Sequence, residues 1–296
     1  MDTANLKTFI AAAELASFSH AAERLYLTQP AVSKRISALE TELGARLFDR
    51  IGRRVSLTEA GRMLLPRAHR ILAEIDDSRR QITNLSGEVG GRLSIGTSHH
   101  IGLHRLPPVL RAYTRAWPQV ELDLRFMDSE AACRAVQTGQ LELGIVTLPL
   151  TPLNDLDSQR IWNDPLRIVA GREHPLAAER RISPAQLTAH AAILPAHGTY
   201  TRALLEQAMG AEAGALHVSM TTNYLETIKM LVSVGLGWSV LPQTMLSDEL
   251  RALDIPALPL TRQLGVVHHR QRTLSNAARA MLRQLQASRD ADGARP

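Results

Sequence analysis

The chain has 296 residues, a formal net charge of +5 and one cysteine, Cys133. One cysteine excludes an intrachain disulfide and a cysteine metal cluster, and the excess of basic over acidic side chains favours an anionic partner. No stretch is long and apolar enough for a membrane span, and the first residues lack the basic start of a secretory signal, so we expect a cytoplasmic protein without a membrane partner.

The first apolar residues recur at helical spacing and predict a small helical core. The residues from Leu6 to Ala13 belong to an initial helix, and those from Phe18 to Leu25 belong to the helix after it. With the helix that follows them, these residues predict a three-helix domain. The residues that we expect in its core are Leu6, Phe9, Ile10, Ala13, Phe18, Ala21, Ala22 and Leu25.

A third helix begins at Thr28, whose hydroxyl suits an N-cap, and Pro30 falls in its first turn, where a missing N–H costs little. Gln29 projects from the leading end, where its amide can form two hydrogen bonds with adenine. A helix of this kind can enter a DNA major groove. Its predicted buried stripe is Val32, Ile36, Leu39 and Leu43. Its predicted DNA-facing residues are Thr28, Gln29, Pro30, Ser33, Lys34, Arg35 and Ser37, with Lys34 and Arg35 assigned to phosphates.

Residues 49–57 predict two short strands around a turn at Gly52. Three arginines in this segment, Arg50, Arg53 and Arg54, can contact phosphates or enter the minor groove. An arginine cluster alone is also typical of a solvated surface. Beside the predicted helix pair, the wing of a DNA-binding domain is the favoured interpretation.

These motifs, above all Ser19–Leu25, Thr28–Ile36 and Leu57–Gly61, resemble those of the LysR-type transcriptional regulators. The resemblance extends through residues 1–88. It implies a winged helix–turn–helix domain at 1–58, a long dimerisation helix at 59–88, and an effector-binding region at 89–296 shaped like a periplasmic binding protein. The fold class is then α/β with an N-terminal all-α winged helix–turn–helix. The resemblance also implies a homotetramer; we count RNA polymerase as a further candidate partner and expect no cofactor.

The helix that follows the wing carries apolar residues at alternating steps of four and three, which is the spacing of a heptad seam. Polar residues surround this seam, so pairing with a second copy of the chain is favoured. Burial in the core of its own subunit is the alternative. The predicted dimerisation residues are Leu64, Ala68, Ile71, Ile75, Ile82 and Leu85.

From Arg92 onward, short strands alternate with helices, which is typical of a parallel sheet. One of these helices is predicted over 101–116. The pattern predicts two lobes, the first made of about 92–163 and 266–290 and the second of about 164–265. Because ligands in open α/β sheets bind beyond the carboxyl ends of the strands, we expect a ligand cleft there.

The loop Gly96–His100 follows the first strand and offers hydroxyls, imidazoles and backbone N–H groups to an anion. The family resemblance points to the same loop, to Ser129 and Thr147, and to the segment His197–Tyr200 across the cleft. A helix N-cap is the alternative role of each hydroxyl. The predicted effector-binding residues are Thr97, Ser98, His99, His100, Ser129, Thr147, His197, Thr199, Tyr200 and Thr222.

His100 and His104 lie four residues apart on a predicted helix, with His99 adjacent, so a transition-metal site is an alternative for this segment. The sequence places no clustered cysteine or carboxylate beside them, and histidine often serves as a polar core or cleft residue. We therefore predict no metal and assign these histidines to hydrogen bonds with an organic effector.

The sequence contains no G-x-S-x-G, no complete G-x-G-x-x-G and no Walker motif, so we do not expect an enzyme. The predicted function is a LysR-type DNA-binding regulator that binds an interrupted palindrome in a promoter and responds to a small, anionic effector. A regulator that is constitutive, or metal-responsive through His99, His100 and His104, is the alternative. A purely architectural DNA-binding protein would not need a two-lobed region of about 200 residues with a cleft.

Overall fold

The computed structural model describes residues 1–51, 54–256 and 258–289, apart from the side chains of Arg50, Ile51 and Arg54. The chain forms two compact units, the first containing Met1–Ser86 and the second nearly all of the chain from Gly87 onward. Among the described residues, no helix combines the length and the apolar character that a bilayer crossing requires.

The first unit contains four helices and a two-stranded sheet. Its elements are α1 (Thr3–Leu15), α2 (Phe18–Leu25), α3 (Gln29–Leu43), β1 (Phe48–Ile51), β2 (Arg54–Leu57) and α4 (Glu59–Asn84). Side-chain oxygens cap the N-termini of α2 and α3. Ser17 accepts a hydrogen bond from the N–H of His20, and Thr28 accepts one from the N–H of Ala31. Gly44 ends α3 in the left-handed conformation, with φ of 63°.

A core of aromatic and aliphatic side chains joins the helices to the sheet. The ring centroids of Phe9 and Phe48 are 5.5 Å apart, and those of Phe18 and Phe48 are 5.2 Å apart. The predicted stripe of α3 is buried at Val32, Ile36 and Leu39. Its fourth member, Leu43, is 40% exposed, because it ends the helix beyond the core.

Two contacts hold the wing sheet against the helices. A carboxylate oxygen of Glu40, on α3, accepts hydrogen bonds from the backbone N–H groups of Leu47 and Phe48 at 2.8 and 3.3 Å. At the start of α4, a Cβ on Gly61 would overlap the backbone oxygen of Leu47. Glycine in the Leu57–Gly61 motif therefore permits the close approach of α4 to the segment that enters the wing.

The first half of α4 packs against the core of its own unit. Ala68 is fully buried in the core of its own unit, and Leu64 and Ile71 pack against the same core. The full burial of Ala68 fits the alternative of burial within the subunit, whereas Leu64 and Ile71 are partly exposed, so their dimerisation role stays a prediction. Further along the helix Ile75 is partly buried, whereas Ile82 and Leu85 are 71% and 86% exposed.

The second unit is an α/β structure built on one nine-stranded sheet. Its strands are β3 (Gly91–Thr97), β4 (Val120–Phe126), β5 (Leu143–Thr147), β6 (Leu156–Gly171), β7 (Ala192–Leu194), β8 (Val218–Thr221), β9 (Trp238–Pro242), β10 (Leu250–Ala252) and β11 (Leu260–His269). Its helices are α5 (His99–His104), α6 (Leu106–Ala116), α7 (Ser129–Thr138), α8 (Pro184–Thr188), α9 (Tyr200–Met209), α10 (Leu225–Ser233) and α11 (Asn276–Arg289), with short 3₁₀ turns at Pro175–Ala178, Gly210–Ala215 and Gln243–Met245.

Two antiparallel strands, β6 and β11, run through the middle of the sheet. The strand order is β4-β3-β5-β11-β6-β9-β7-β8, with β10 paired to β6. The parallel β3, β4 and β5 lie on one side of the pair, and β7, β8 and β9 lie on the other. We call these two sides the first and the second lobe. The lobe boundaries expected at 163/164 and 265/266 fall inside β6 and β11.

The helix predicted over 101–116 is two helices. The structure has α5 and α6, separated at Arg105, whose φ is −113°. Pro107 and Pro108 occupy the first turn of α6, where their missing N–H groups cost little, but they cannot supply the hydrogen bonds that would continue α5. The break leaves α5 as a short segment that carries His99, His100 and His104.

Candidate functional site

The first candidate site is the leading end of α3. Thr28, Gln29, Pro30, Lys34 and Ser37 are exposed there, and Ser33 is half-buried. The hydroxyl oxygen of Thr28 accepts from the N–H of Ala31 at 3.4 Å, which fixes the first turn. The structure thus brings the amide, hydroxyl and ammonium groups predicted for DNA contact onto the exposed side of one helix.

Arg35 differs from its neighbours because it is half-buried and bonded within the unit. Its Nη1 donates to the hydroxyl of Thr8 at 3.4 Å, and that hydroxyl donates to the backbone oxygen of Ala4 at 2.7 Å. Arg35 therefore joins α3 to α1 as well as carrying positive charge behind the exposed side.

The predicted wing is only partly described by the structure. The backbones of β1 and β2 pair antiparallel, with Arg50 opposite Val55 and Ile51 opposite Arg54. Arg53 and the side chains of Arg50 and Arg54 lie outside the described residues.

Sequence reasoning overlooked Tyr26, in the turn between α2 and α3. Its backbone has φ of 53°, a left-handed conformation that is unusual for a residue other than glycine, and its side chain is 96% exposed. The signal in the sequence was a large aromatic residue two residues before the predicted N-cap, Thr28. Tyr26 extends the exposed surface at the leading end of α3.

The second candidate site is a cavity of about 420 Å³ in the second unit. Both lobes contribute to its wall. Of the ten predicted effector residues, six line it: Ser98, His99, His100, Ser129, Thr147 and Thr199. The other residues in the wall are Phe126, Met127, Asp128, Glu130, Ala131, Pro195, Thr201, Asn223, Tyr224, Leu225 and Arg262.

The remaining four predicted residues lie away from this cavity. The side chain of His197 is 85% exposed and lies 3.9 Å from Glu206. Tyr200 lines a smaller neighbouring cavity of about 170 Å³. Thr222 accepts a hydrogen bond from the N–H of Tyr224 at 3.4 Å, and Thr97 is fully buried in β3.

The hydroxyls in the cavity wall also have structural roles. Ser98 and Thr199 are N-caps, accepting from the N–H groups of Ile101 and Arg202, both at 3.4 Å. Ser129 accepts from the N–H of Thr147 at 3.0 Å and so joins α7 to β5. Ser98 and Thr199 therefore have the N-cap role and also line the cavity, whereas Ser129 lines the cavity and joins two elements.

Arg262, on β11, supplies a buried positive charge that the motif search missed. It is 6% exposed, its Nε donates to Asp164 at 2.6 Å, and its Nη1 donates to the hydroxyl of Thr201 at 3.1 Å. Its buried Nη2 has no hydrogen-bond partner among the described residues. Arg105 lies 3.5 Å from the other oxygen of Asp164, so two guanidinium groups share one carboxylate here.

The alternation of β11 contained the signal for Arg262. Leu260, Arg262 and Leu264 are buried, whereas Thr261 and Gln263 are exposed. Side chains two residues apart share one side of a strand, so the sequence places an arginine within an apolar row. A charge in such a position requires a partner or a function.

Polar contacts also connect the two lobes around the cavity. The amide nitrogen of Asn223 donates to Asp128 at 2.8 Å, and the backbone N–H of Tyr200 donates to the carboxylate of Glu130. Burial raises the pKa of Glu130, while the hydrogen bond from Tyr200 acts in the opposite direction. These contacts hold α7 against the second lobe.

The three histidines of α5 have different surroundings. The ring of His99 lies against those of Phe126 and Tyr224, with centroids 5.1 and 4.8 Å away. His100 is 4% exposed, and neither of its ring nitrogens has a hydrogen-bond partner among the described residues. Burial, reinforced by Arg262 and His104, lowers the pKa of His100 to about 3, so its imidazole is neutral.

His104 reaches across to the second lobe, where its Nε2 lies 3.0 Å from a carboxylate oxygen of Glu226. Burial would raise the pKa of Glu226, but hydrogen bonds from its own backbone and from His104 lower it below the usual value. In the described part of the chain, His100, His104 and Glu226 form the one group of side chains spaced to hold a metal ion.

The fold and these two sites define the class of the protein: a winged helix–turn–helix joined to an α/β region that contains a ligand-sized cavity. A family model described as "LysR substrate binding domain" matches residues 86–290, and one described as "Bacterial regulatory helix-turn-helix protein, lysR family" matches residues 3–62. The chain belongs to the LysR family of DNA-binding transcriptional regulators, with an effector-binding domain, as the sequence motifs predicted.

Relatives of known sequence or structure extend over nearly the whole chain. The uncharacterized HTH-type transcriptional regulator YeiE of Escherichia coli (strain K12) is 32% identical over 282 residues, which are 94% of this chain and 94% of the relative. Full-length CbnR, solved in complex with its target DNA, has a TM-score of 0.63 at 21% identity, covering 97% of this chain and 100% of that chain. The regulatory domain of Synechocystis PCC6803 CcmR, solved in complex with 2-PG, has a TM-score of 0.59 at 28% identity, covering 67% and 96%.

Proposed function

We propose that the effector of this regulator is a small anion bound in the 420 Å³ cavity against Arg262. The observation that carries the proposal is the free Nη2 of that buried arginine. Arg262 lines this cavity, and a buried guanidinium N–H without a partner among the described residues is costly unless a ligand accepts its hydrogen bond. The cavity volume lies within the range of about 300 to 1,000 Å³ that small-molecule sites occupy.

The surroundings of Arg262 favour a carboxylate or a similar anion. The hydroxyls of Ser98, Ser129 and Thr199 line the same wall and can donate to its oxygens. Asp128 and Glu130 also line the cavity, but Asp128 accepts a hydrogen bond from Asn223 and Glu130 accepts one from the N–H of Tyr200. The CcmR regulatory domain solved with 2-PG supports a ligand in this part of the fold.

Arg262 also connects the ligand to the strands between the lobes. It lies on β11 and binds Asp164 on β6, and its Nη1 binds Thr201 on α9. An anion that adds charge at Nη2 would strengthen or displace these contacts. Only a ligand that binds two arrangements of the lobes unequally can shift the balance between them.

The DNA-binding part of the proposal rests on α3. Gln29 and Ser33 contact base edges in the major groove, and Lys34 contacts phosphate, with Thr28, Pro30 and Ser37 close to the backbone. Tyr26 adds to this surface. CbnR, which has a similar fold, was solved with its target DNA, and this supports DNA binding by the fold. The protein acts as a homotetramer on an interrupted palindrome and is not an enzyme, and RNA polymerase is a further candidate partner.

The proposed domains are 1–58 for DNA binding, 59–88 for the linker helix and 89–296 for the effector. Because the first half of α4 is buried in its own unit, self-association uses the later part of the helix, where Ile82 and Leu85 are exposed. Such exposed apolar side chains are typical of a surface that a second copy covers.

A titration of the full chain tests the anion. Thermal unfolding is followed with a panel of carboxylates, phosphate esters and neutral analogues, and the best ligand is titrated by calorimetry. Arg262→Lys keeps the charge beside Asp164 but removes the guanidinium donors. We expect its affinity for the anion to fall by about tenfold or more, since a hydrogen bond to a charged group contributes about 1.5 to 3 kcal/mol.

Arg160→Lys is the matched control. It makes the same substitution at an exposed arginine of β6, the strand that carries Asp164. It should bind the anion as the unmodified chain does. Preferential binding of neutral analogues, or equal anion affinity in the two variants, would reject Arg262 as the anchor.

A further inference from the structure

We propose that His100, His104 and Glu226 form a site for a divalent transition metal of the zinc class, bound at the edge of the effector cavity. The inference is independent of the proposed anion, because its three ligands do not include Arg262. The metal alternative predicted from the sequence used His99, His100 and His104. Here the third ligand is the carboxylate of Glu226, from the second lobe, and His99 is not a ligand.

The spacing of the three side chains is close to that of a metal site. One ligand atom from each residue lies within 4.8 Å of the others, and His104 Nε2 is already 3.0 Å from Glu226. The rings of His100 and His104, one helical turn apart on α5, have centroids 4.7 Å apart. Ligand atoms about 2.1 Å from a tetrahedral zinc lie about 3.4 Å from one another, so small rotations of the side chains would close the site.

His100 provides a second, independent observation. It is a polar side chain with 4% exposure, it lines the cavity, and both of its ring nitrogens lack a hydrogen-bond partner among the described residues. Buried polar atoms are normally satisfied, and those that are not require an explanation. A metal ion would satisfy one of these two nitrogens and would also explain why His104 and Glu226 lie beside it.

The charges around the site are compatible with a cation. Arg262 and Arg105 oppose a positive ion, but Asp164 lies 2.6 Å from the first and 3.5 Å from the second. Glu226 adds a negative charge directly to the ligand set. Two imidazoles and one carboxylate suit zinc, cobalt or nickel, whereas magnesium and calcium prefer sites made of oxygen atoms.

The positions of the ligands also assign a role to the ion. His100 and His104 lie on α5 in the first lobe, and Glu226 lies on α10 in the second. A metal bound by all three would fasten these helices together. Three protein ligands leave a coordination position for water or for an effector group, since His100 lines the cavity.

The test uses the full chain without an affinity tag, treated with a chelator and then titrated with Co²⁺ and with Zn²⁺ as a competitor. We expect one Co²⁺ per chain, a visible absorption band of low-symmetry coordination, and displacement by Zn²⁺. His104→Gln and Glu226→Gln each remove one ligand from a side chain that is 45% or 41% exposed, so the fold should be retained. Each should lower the affinity by at least about tenfold, the lower limit for losing even an outer partner of a metal site.

His197→Gln is the matched control, because His197 also lies near a glutamate, Glu206, at 3.9 Å. It should bind Co²⁺ with unchanged affinity. The proposal is overturned if the unmodified chain shows no one-to-one binding, if His104→Gln and Glu226→Gln bind as tightly as the unmodified chain, or if His197→Gln loses as much affinity as they do. Anion titration of the metal-free chain and of Arg262→Lys reports separately on the proposed effector.

Discussion

We expect sequence discrimination to depend most directly on Gln29. It is exposed at the leading end of α3, and Thr28 fixes the turn that presents it. Gln29→Ala should lower the preference for a selected DNA site over random DNA by about 1 to 3 kcal/mol, because a two-bonded amide–adenine contact is lost. Fluorescence anisotropy with a site selected from a random pool measures this difference.

Lys34→Ala provides the contrast. Loss of a phosphate contact should weaken binding to selected and random DNA alike and reduce the salt dependence by about one counterion. If Gln29→Ala weakened both DNAs equally, Gln29 would be a backbone contact and not a base contact.

Cys133 should be unreactive in the folded protein. Burial raises its pKa to about 11, so at pH 8 only about one thiol in a thousand is ionised. Because the thiol gains charge only as the pH rises towards that pKa, alkylation by iodoacetamide should be negligible at pH 8 and complete after denaturation. Mass spectrometry counts the alkylated chains, and rapid labelling of the folded protein would show that the helix around Cys133 opens.

The individual site residues differed in how well the sequence predicted them. Ser98 was predicted because polar residues follow the first strand, and Ser129 and Thr199 because the family resemblance points to them; all three line the cavity. Arg262 was missed because it lies within a strand, where the search expected packing residues. His104 was recognised, but its partner Glu226 follows in sequence by 122 residues, a separation that no local pattern spans.

At the scale of the element, α4 shows that one seam can meet different surfaces along its length. Steps of four and three residues indicate that one side of a helix is covered, but they do not indicate by what. In the first half of α4 the covering surface is the core around Phe9 and Phe48. In the second half Ile82 and Leu85 are exposed, so the same pattern there fits self-association.

Ala68→Leu tests the internal half of that assignment. Ala68 has no exposed surface, so a larger side chain must strain its surroundings, and we expect the free energy of unfolding to fall by about 1 to 3 kcal/mol. Urea unfolding at fixed protein concentration measures the change. Glu74→Leu adds the same side chain at an exposed position of α4 and should have little effect. A fully stable Ala68→Leu protein would mean that this part of α4 is free to move away from the core.

Within the α/β elements, the strand and helix types followed from the sequence better than their boundaries. The break between α5 and α6 depends on Pro107 and Pro108, which are compatible with a helix start but also occur within predicted helical patterns. The shift in β11 at Leu264 and Gly265 depends on a partner strand, since a Cβ at Gly265 would overlap the backbone oxygen of Gln159. Such features need the neighbouring strand to be known.

At the scale of the whole molecule, β6 and β11 are the connections through which a ligand can act on both lobes. The two strands pair along most of their length, and Arg262 and Asp164 join them by a buried ion pair of 2.6 Å. Removing one partner of such a pair is costly, so we expect the proposed anion at Arg262 to affect the pair strongly. The sequence predicted lobe boundaries near 163/164 and 265/266, but the ion pair that joins β6 and β11 follows only from the register of the two strands.

Regulation by an effector requires that DNA and effector affinities be coupled in both directions. If the anion that stabilises the full chain most changes its DNA affinity by some factor, DNA must change the affinity for that anion by the same factor, because both describe one thermodynamic cycle. We expect a factor of about 5 to 150, and a factor near one in Arg262→Lys at saturating anion. Anisotropy with and without the anion, and calorimetry with and without DNA, measure the two ratios. A ratio of one in the unmodified chain would mean that the anion binds both arrangements equally, and the regulator would then be constitutive towards that ligand.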